Sequence, residues 1–333
     1  MGTGPTTSTG PVVVVGAGIA GIACARRLRT AGLDVHVLDR GRRVGGRMAT
    51  RTVAGRPVDT GASYFTVSDR RFAAVVREWR SSGLAHEWTD RFHVLGYGEP
   101  EVKEGPVRWG TARGSRSLVE DLARGIDVRP RQVRTVRRRS GGLEVDGVPA
   151  AAVVLAMPDA QARRLLGQDL HEVRGVLTRE SEPVLALTAA YDARTWDRGE
   201  RFDGAFVNGN EVLAWVADDG RRRGDDAPVL VAHSTPDFAA RHLGDPAAAG
   251  PAMLAALGRH LEVGDPVTTR VQRWSLARPT GRRLPTHHLR DGVGVCGDGW
   301  GPVSKVEGAW ISGDDLGTAL ARELRSARAG RPA

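Results

Sequence analysis

A β-branched run, Val12–Val15, leads directly into Gly16-Ala17-Gly18-Ile19-Ala20-Gly21, and this junction constrains the fold more than any other feature of the chain. The run suits a strand buried on both faces. After it, Ile19, Ile22, Ala25 and Leu28 recur at helical spacing as far as Ala31-Gly32. A second strand reads Val35, Val37, Leu38 and closes on Asp39, 18 residues past Gly21. In such a βαβ unit Gly16 permits the tight turn, Gly18 lets a pyrophosphate approach the main chain, and Gly21 allows close helix–strand packing. The free N–H groups and dipole of the helix start hold negative charge. Asp39 can accept both hydrogen bonds of a ribose diol. The unit predicts a bound dinucleotide, NAD or FAD.

The remaining composition narrows the class. A chain of 333 residues suggests about two domains, and no apolar stretch approaches the ~18 residues of a spanning helix, so no membrane partner is expected. MGTGPTTSTG lacks a basic region and an apolar core, and residues 1–9 read as a disordered tail. Its Met-Gly-x-x-x-Thr pattern, through Gly2 and Thr6, is read as chance because no second membrane signal accompanies it. The two cysteines, Cys24 and Cys296, sit outside any ligand spacing. Neither a disulfide scaffold nor a metal site is expected, and a reducing, cytoplasmic location is. The net charge of +9 is nearly all arginine, since Lys103 and Lys305 are the only lysines. The densest run, Arg134–Arg139, has no interleaved aromatics to stack on bases, so it reads as solvated surface and no nucleic-acid partner is expected.

Further along, residues 67–106 show little alternation, and a helical pattern spans Ser117–Arg124. Strands follow at Val133–Val136, Leu143–Val145 and Val153–Leu155. Strands at Val184–Ala190 and Val229–Ala232 flank polar turns, Asp218–Asp226 among them, and a helix covers Ala252–Leu261. A last strand, Val293–Cys296, meets Gly297-Asp298-Gly299, and a helix runs from Glu307 or Gly308 to about Arg325. The expected fold is α/β: a doubly wound, Rossmann-type dinucleotide-binding domain (FAD-binding, by the resemblance that further motifs carry) with an inserted mixed-sheet (α+β) substrate domain. The first would comprise 10–66, 107–160 and 285–328, the second 67–106 and 161–284.

Other motifs choose between NAD and FAD. Arg43-Val44-Gly45-Gly46-Arg47-Met48 follows the fingerprint, then Asp59-Thr60-Gly61-Ala62-Ser63-Tyr64-Phe65. Near the end stand Cys296-Gly297-Asp298-Gly299 and Val306-Glu307-Gly308-Ala309-Trp310-Ile311-Ser312-Gly313. At these residues the chain resembles the flavin amine-oxidase superfamily, with its glutathione-reductase-2 type FAD domain, and within it renalase and its bacterial relatives. The resemblance implies non-covalent FAD. Gly16, Ala17, Gly18, Ala20 and Gly21 would wrap its pyrophosphate, Asp39 its adenosine ribose, and Arg40 would lie at the adenine end. Gly45, Gly46, Arg47 and Met48 would line the pyrophosphate and ribityl chain, with Arg47 offering a planar charge suited to phosphate. Val133 would pair its main chain with adenine, and Ala156 would mark the strand end returning to the cofactor. Ala62 and Ser63 would lie in the flavin-facing segment, and Gly297 and Asp298 at the ribityl chain or pyrophosphate. Glu307, Gly308, Ala309 and Trp310 would open a helix whose N–H groups face the flavin N1–C2=O locus, where reduction places negative charge.

The substrate side is thinner. Hydride oxidation asks the protein mainly to hold and desolvate a small molecule, so no nucleophilic triad is expected. Tyr64 and Trp274 are the candidate residues beside the flavin, though Trp274 also suits a plain core position. His288, next to His287, reads either as a group near the flavin ring or as part of a solvated loop pair. With three tyrosines in the chain there is little from which to build the paired-tyrosine cage of monoamine oxidases. By resemblance the function is a renalase-type oxidase acting on dihydronicotinamide dinucleotide isomers, passing hydride to flavin N5 and electrons to O2 to give H2O2. An amine or secondary-metabolite oxidase or desaturase, and a flavin-binding protein without turnover, are the alternatives.

Overall fold

The computed structural model describes residues 10–96, 101–139, 142–197 and 199–329. The tail expected at 1–9 lies outside them. The chain forms two compact units: Met1–Gly46, Val119–Glu180 and Pro279–Ala333 make the first, Arg47–Leu118 and Ser181–Arg278 the second. It therefore changes units after residues 46, 118, 180 and 278, where the expected boundaries fell after 66, 106, 160 and 284. The difference has a packing cause. Val53 and Val58, on the hairpin Thr50–Val53/Arg56–Asp59, are buried against Val229 and Val231 of the second unit.

In the first unit a six-stranded sheet runs His288–Arg290, Val293–Val295, Ala152–Leu155, Val12–Val15, Val35–Asp39, Asp127–Pro130. Neighbours are parallel except the first pair. Val12–Val15 lies centrally, which is why all four valines are buried. Val13 and Val15 pack with Val136, Leu143, Val145 and Ala150, residues of a small antiparallel sheet. The helices Ile19–Thr30 and Val306–Ala329 pack together. A Cβ at Gly313 would strike the main chain of Ala20, and one at Gly317 would press on the Cys24 carbonyl and Arg27. Arg27 pairs with Asp314 at 2.7 Å alongside this contact. The strand expected at Val133–Val136 begins at Val136 and runs to Arg139. Asp146 Oδ1 accepts the N–H groups of Arg134 and Thr135 at 2.9 and 2.8 Å, tying the preceding stretch into a turn.

The second unit is built on a seven-stranded sheet in the order Thr268–Pro279, Ser181–Ala190, Val229–Ser234, Leu213–Asp218, Gly204–Val207, His86–Leu95, Glu101–Gly110. It is mixed: Gly204–Val207 runs parallel to His86–Leu95, whereas Leu213–Asp218 is antiparallel to both its neighbours. Alternation along Val229–Ser234 sends Leu230 and Ala232 into a core with Leu185, Leu187, Met253 and Leu257. Val229, Val231 and His233 therefore share the other face.

Two stretches differ from the sequence reading. Residues 67–106 contain the helix Arg70–Ser81, whose first turn is capped by the Asp69 carboxylate and which buries Phe72, Val76 and Trp79. Asp218–Asp226, read as a polar turn, includes the one-turn helix Asp219–Arg223, and Asp219, Arg222 and Arg223 are buried. These charges satisfy one another, so polarity there does not mean exposure.

Candidate functional site

The glycine loop of the first unit is shaped by contact. Gly16 has φ +110° and lies against the Ala156 carbonyl, leaving no room for a side chain. A Cβ at Gly21 would collide with the Gly16 carbonyl oxygen and touch the Ala156 methyl. Gly18 is different, because a Cβ there would meet nothing within 4 Å. The helix behind it has no side-chain cap and no acid in its first turn. Open space before an uncapped, acid-free helix start fits a pyrophosphate. Asp39 Oδ2 accepts the Ala17 N–H at 2.7 Å and Oδ1 the Gly41 N–H at 2.6 Å. The acid thus braces the loop while each oxygen retains a second lone pair. Ala17 and Ala20 are buried, and Arg40 is exposed. The Gly45 N–H donates to the Ala17 carbonyl at 2.9 Å, and a Cβ at Gly46 would rest on the Gly18 Cα. These placements put Gly16, Ala17, Gly18, Gly21, Asp39, Gly45, Gly46 and Ala156 in one cluster. Val133 is buried in the same unit.

The end of the chain supplies a second group to this unit. The Gly297 N–H donates to the Ser312 hydroxyl at 2.9 Å, and Asp298 accepts from Ser304 at 2.8 Å. The last helix starts at Val306. Glu307, in its first turn, is buried and pairs with Lys305 at 2.6 Å. A carboxylate is favoured there by the helix dipole. Ala309 and Trp310 are buried, and a Cβ at Gly308 would press on the Val303 carbonyl. His288 lies in the edge strand His288–Arg290, not in a loop, with its ring stacked on Trp300 at 6.0 Å. That strand pairing corrects the solvated-loop reading. Burial first, then Arg290, His287 and Arg283, lower the His288 pKa.

Arg47, Met48, Ala62, Ser63, Tyr64 and Trp274 belong to the second unit. Arg47 donates to the Ala277 carbonyl at 3.1 Å, Met48 is buried, and the Ala62 N–H donates to the Arg47 carbonyl. Trp274 Nε1 donates to the Thr60 carbonyl at 2.8 Å, and Trp215 Nε1 to the Ser63 hydroxyl at 3.1 Å. Tyr64 packs against Phe92 and Trp215, with ring centroids 5.3 and 5.7 Å away. Phe206 joins Trp215 at 4.9 Å, and the Arg108 guanidinium lies 4.2 Å above the Phe92 ring. Burial raises the Tyr64 pKa, with Arg108 and Arg278 opposing it. His233 is buried and its pKa is driven down to about 3, by burial first and then by Arg278 and Arg222. Tyr64 lies in segment 60–64, and Trp274, on the strand Thr268–Pro279, is tied to that segment at the Thr60 carbonyl. Trp215, His233, Arg108 and Arg278 were missed, because no motif carries them. The visible signal was a lone histidine ending the apolar strand Val229–Ser234.

Residues 14–79 match the NAD(P)-binding Rossmann-like domain family. A Mycobacterium tuberculosis protein named as a flavin-containing monoamine oxidase is 33% identical over 135 residues, covering 35% of this chain and 27% of that protein. Polyamine oxidase 1 of Oryza sativa is 35% identical over 144 residues, covering 34% and 28%. The matched region thus spans about a quarter of these relatives' length. Cyclohexylamine oxidase from Brevibacterium oxydans superposes with a TM-score of 0.77 at 15% identity, over 95% of this chain and 99% of that one. Fold and fingerprint define a dinucleotide-binding α/β protein with the fold of that oxidase. Residues 14–79 carry the family match, and the named oxidases share sequence with about a third of the chain.

Proposed function

We propose that the chain is an FAD-dependent oxidase of the renalase type, taking hydride from a dihydronicotinamide dinucleotide isomer. The observation that carries this reading is the charge around Tyr64. Arg108, whose guanidinium lies 4.2 Å from the centroid of the Phe92 ring that packs on Tyr64, and Arg278 both oppose the burial-raised Tyr64 pKa, so the cluster carries positive charge. An ammonium substrate would be repelled there, whereas a polyanionic dinucleotide would be drawn in. Aromatic surface from Tyr64 and Phe206, backed by the buried Trp215, suits a flat ring.

Bound FAD would supply hydride acceptance at N5, with O2 as final acceptor giving H2O2. Gly16, Gly18, the first turn of Ile19–Thr30 and Asp39 would hold its pyrophosphate and ribose, and Val133 the adenine. The start of Val306–Ala329 would face the flavin's N1 side. Tyr64 and Trp274 would orient substrate and exclude water.

A second reading, oxidation of an amine on the same scaffold, is favoured by the names of the relatives. Anaerobic visible spectra of the FAD-loaded protein separate the two. Bleaching by a mixture of 2- and 6-dihydronicotinamide isomers, but not by β-NADH or putrescine, supports the first. Bleaching by putrescine alone establishes the second, and a protein that takes up no FAD overturns both.

A further inference from the structure

Asp219, Arg222 and Arg223 stand on a one-turn helix, and the Asp218 side chain caps it by accepting the Arg221 N–H. Asp219 is 0% exposed and Arg222 2%. Burying charge costs several kcal/mol per ion unless partners are well placed, and apolar residues of equal volume often serve stability as well. The partners here explain the arrangement through geometry. Arg222 Nη1 donates to the Ser63 carbonyl at 2.9 Å and Nη2 to the Asp59 carbonyl at 3.0 Å, while the same guanidinium pairs with Asp219. Arg223 reaches Asp59 Oδ2 at 3.2 Å, and Asp59 also accepts the Ser115 N–H and the Thr50 hydroxyl. From other strands, Trp274 holds the Thr60 carbonyl and Trp215 the Ser63 hydroxyl. Segment 59–63 is therefore gripped by the one-turn helix, by Thr50 and Ser115, and by two strands of the large sheet, immediately before Tyr64.

We infer that Arg222 is a positioning residue for Tyr64. Its planar fork spans two carbonyls four residues apart, fixing the turn from which the Tyr64 ring projects onto Phe92 and Trp215. Lysine offers three rotatable donors from a single atom and no planar fork, so it does not fix the two carbonyls in the same geometry. Asp219 keeps Arg56 and Arg223 as partners when Arg222 is replaced, so substitution does not strand the carboxylate.

The test uses the full-length, FAD-loaded protein as R222M, R222K, Y64F and R222M/Y64F. Amide hydrogen exchange without substrate reads the clamp directly. We expect residues 60–64 to exchange at least about tenfold faster in R222M, with R222K between it and wild type and residues 185–189 unchanged. The kinetic arm rests on the proposed oxidation and measures anaerobic flavin reduction by the dihydronicotinamide isomers. R222M and Y64F should each slow reduction roughly tenfold, and the double variant should be no slower than Y64F to within about twofold. Exchange in 60–64 within about twofold of wild type, or losses that multiply in the double variant, overturns the inference. A wild-type protein that the isomers do not bleach removes the proposed function, and the exchange arm still decides the clamp. If R222M does not fold, R222K carries both readouts, since it retains a cation for Asp219.

Discussion

Asp39 Oδ2 accepts the Ala17 N–H at 2.7 Å, so the acid at the end of the second strand is bonded into the glycine loop that follows the first. The two parts of the fingerprint are bonded to each other, and in the proposed function a bound ribose would share this carboxylate with the loop. Asp39→Ala should therefore weaken FAD binding about 10- to 100-fold, the effect of losing charge-assisted hydrogen bonds worth ~1.5–3 kcal/mol. Fluorescence titration of the apoprotein checks this, and an unchanged Kd would show that Asp39 serves the loop alone.

Gly313 sets how closely the first and last helices approach, because a Cβ there meets the Ala20 main chain and not a movable side chain. Gly313→Ala should cost roughly 1–3 kcal/mol through overpacking. Gly175, where a Cβ meets nothing within 4 Å, is the control: Gly175→Ala should be neutral or gain up to ~1 kcal/mol in its helix. Urea unfolding of both variants distinguishes crowding from helix propensity.

Phe72 is fully buried, edge-on to Phe65 at 5.9 Å and to Trp79 at 5.8 Å. Phe72→Ala should destabilise by about 3–5 kcal/mol, the usual penalty for such a cavity. A loss of unfolding free energy below ~1 kcal/mol in urea titration would mean that helix Arg70–Ser81 contributes little to the second unit.

Acid should destabilise the protein in two stages. His233 is held near a pKa of about 3 by burial, Arg278 and Arg222, whereas an unfolded histidine titrates near ~6.5. The unfolded chain binds the proton first, so this stability is complete above pH ~6.5 and is lost as pH falls toward 3. Burial alone would raise the Asp219 pKa, but Arg222, Arg223 and Arg56 outweigh it and hold it at about 2. Its contribution is lost later, from pH ~4 downward. Between pH 7 and 4.5 the His233 contribution should fall by an amount on the order of 2–3 kcal/mol. Asp218, raised to about 6 by burial, takes up a proton in the fold over the same range and offsets part of that loss. In urea unfolding at the two pH values His233→Asn should abolish the loss and leave the offset. A stability difference between wild type and His233→Asn that is the same at both pH values would mean that the imidazole takes up its proton as readily in the fold as in the unfolded chain.

The βαβ unit was legible because its signals are local. Val12–Val15, the three spaced glycines and Asp39 encode strand, turn, helix and acid within a few turns of chain, and the structure uses each as its residue type suggests. His288 was misplaced because only its antiparallel pairing with Val295 makes it a strand residue. Residues 47–66 sit beside the fingerprint in sequence yet pack with the second unit, since Val53 and Val58 find their apolar partners on a strand far along the chain.

The sequence by itself determined the nucleotide-binding half: glycine spacing, an acid at the right distance, and the small residues that begin the last helix. Tertiary structure alone decided the other half. Arg222, His233, Arg108 and Trp215 acquire meaning from strand alternation and from carbonyls 150 residues or so away, as in the Arg222–Ser63 bond with its separation of 159. A buried charge is tolerated only when distant groups satisfy it, and which groups those are is set by the folded chain.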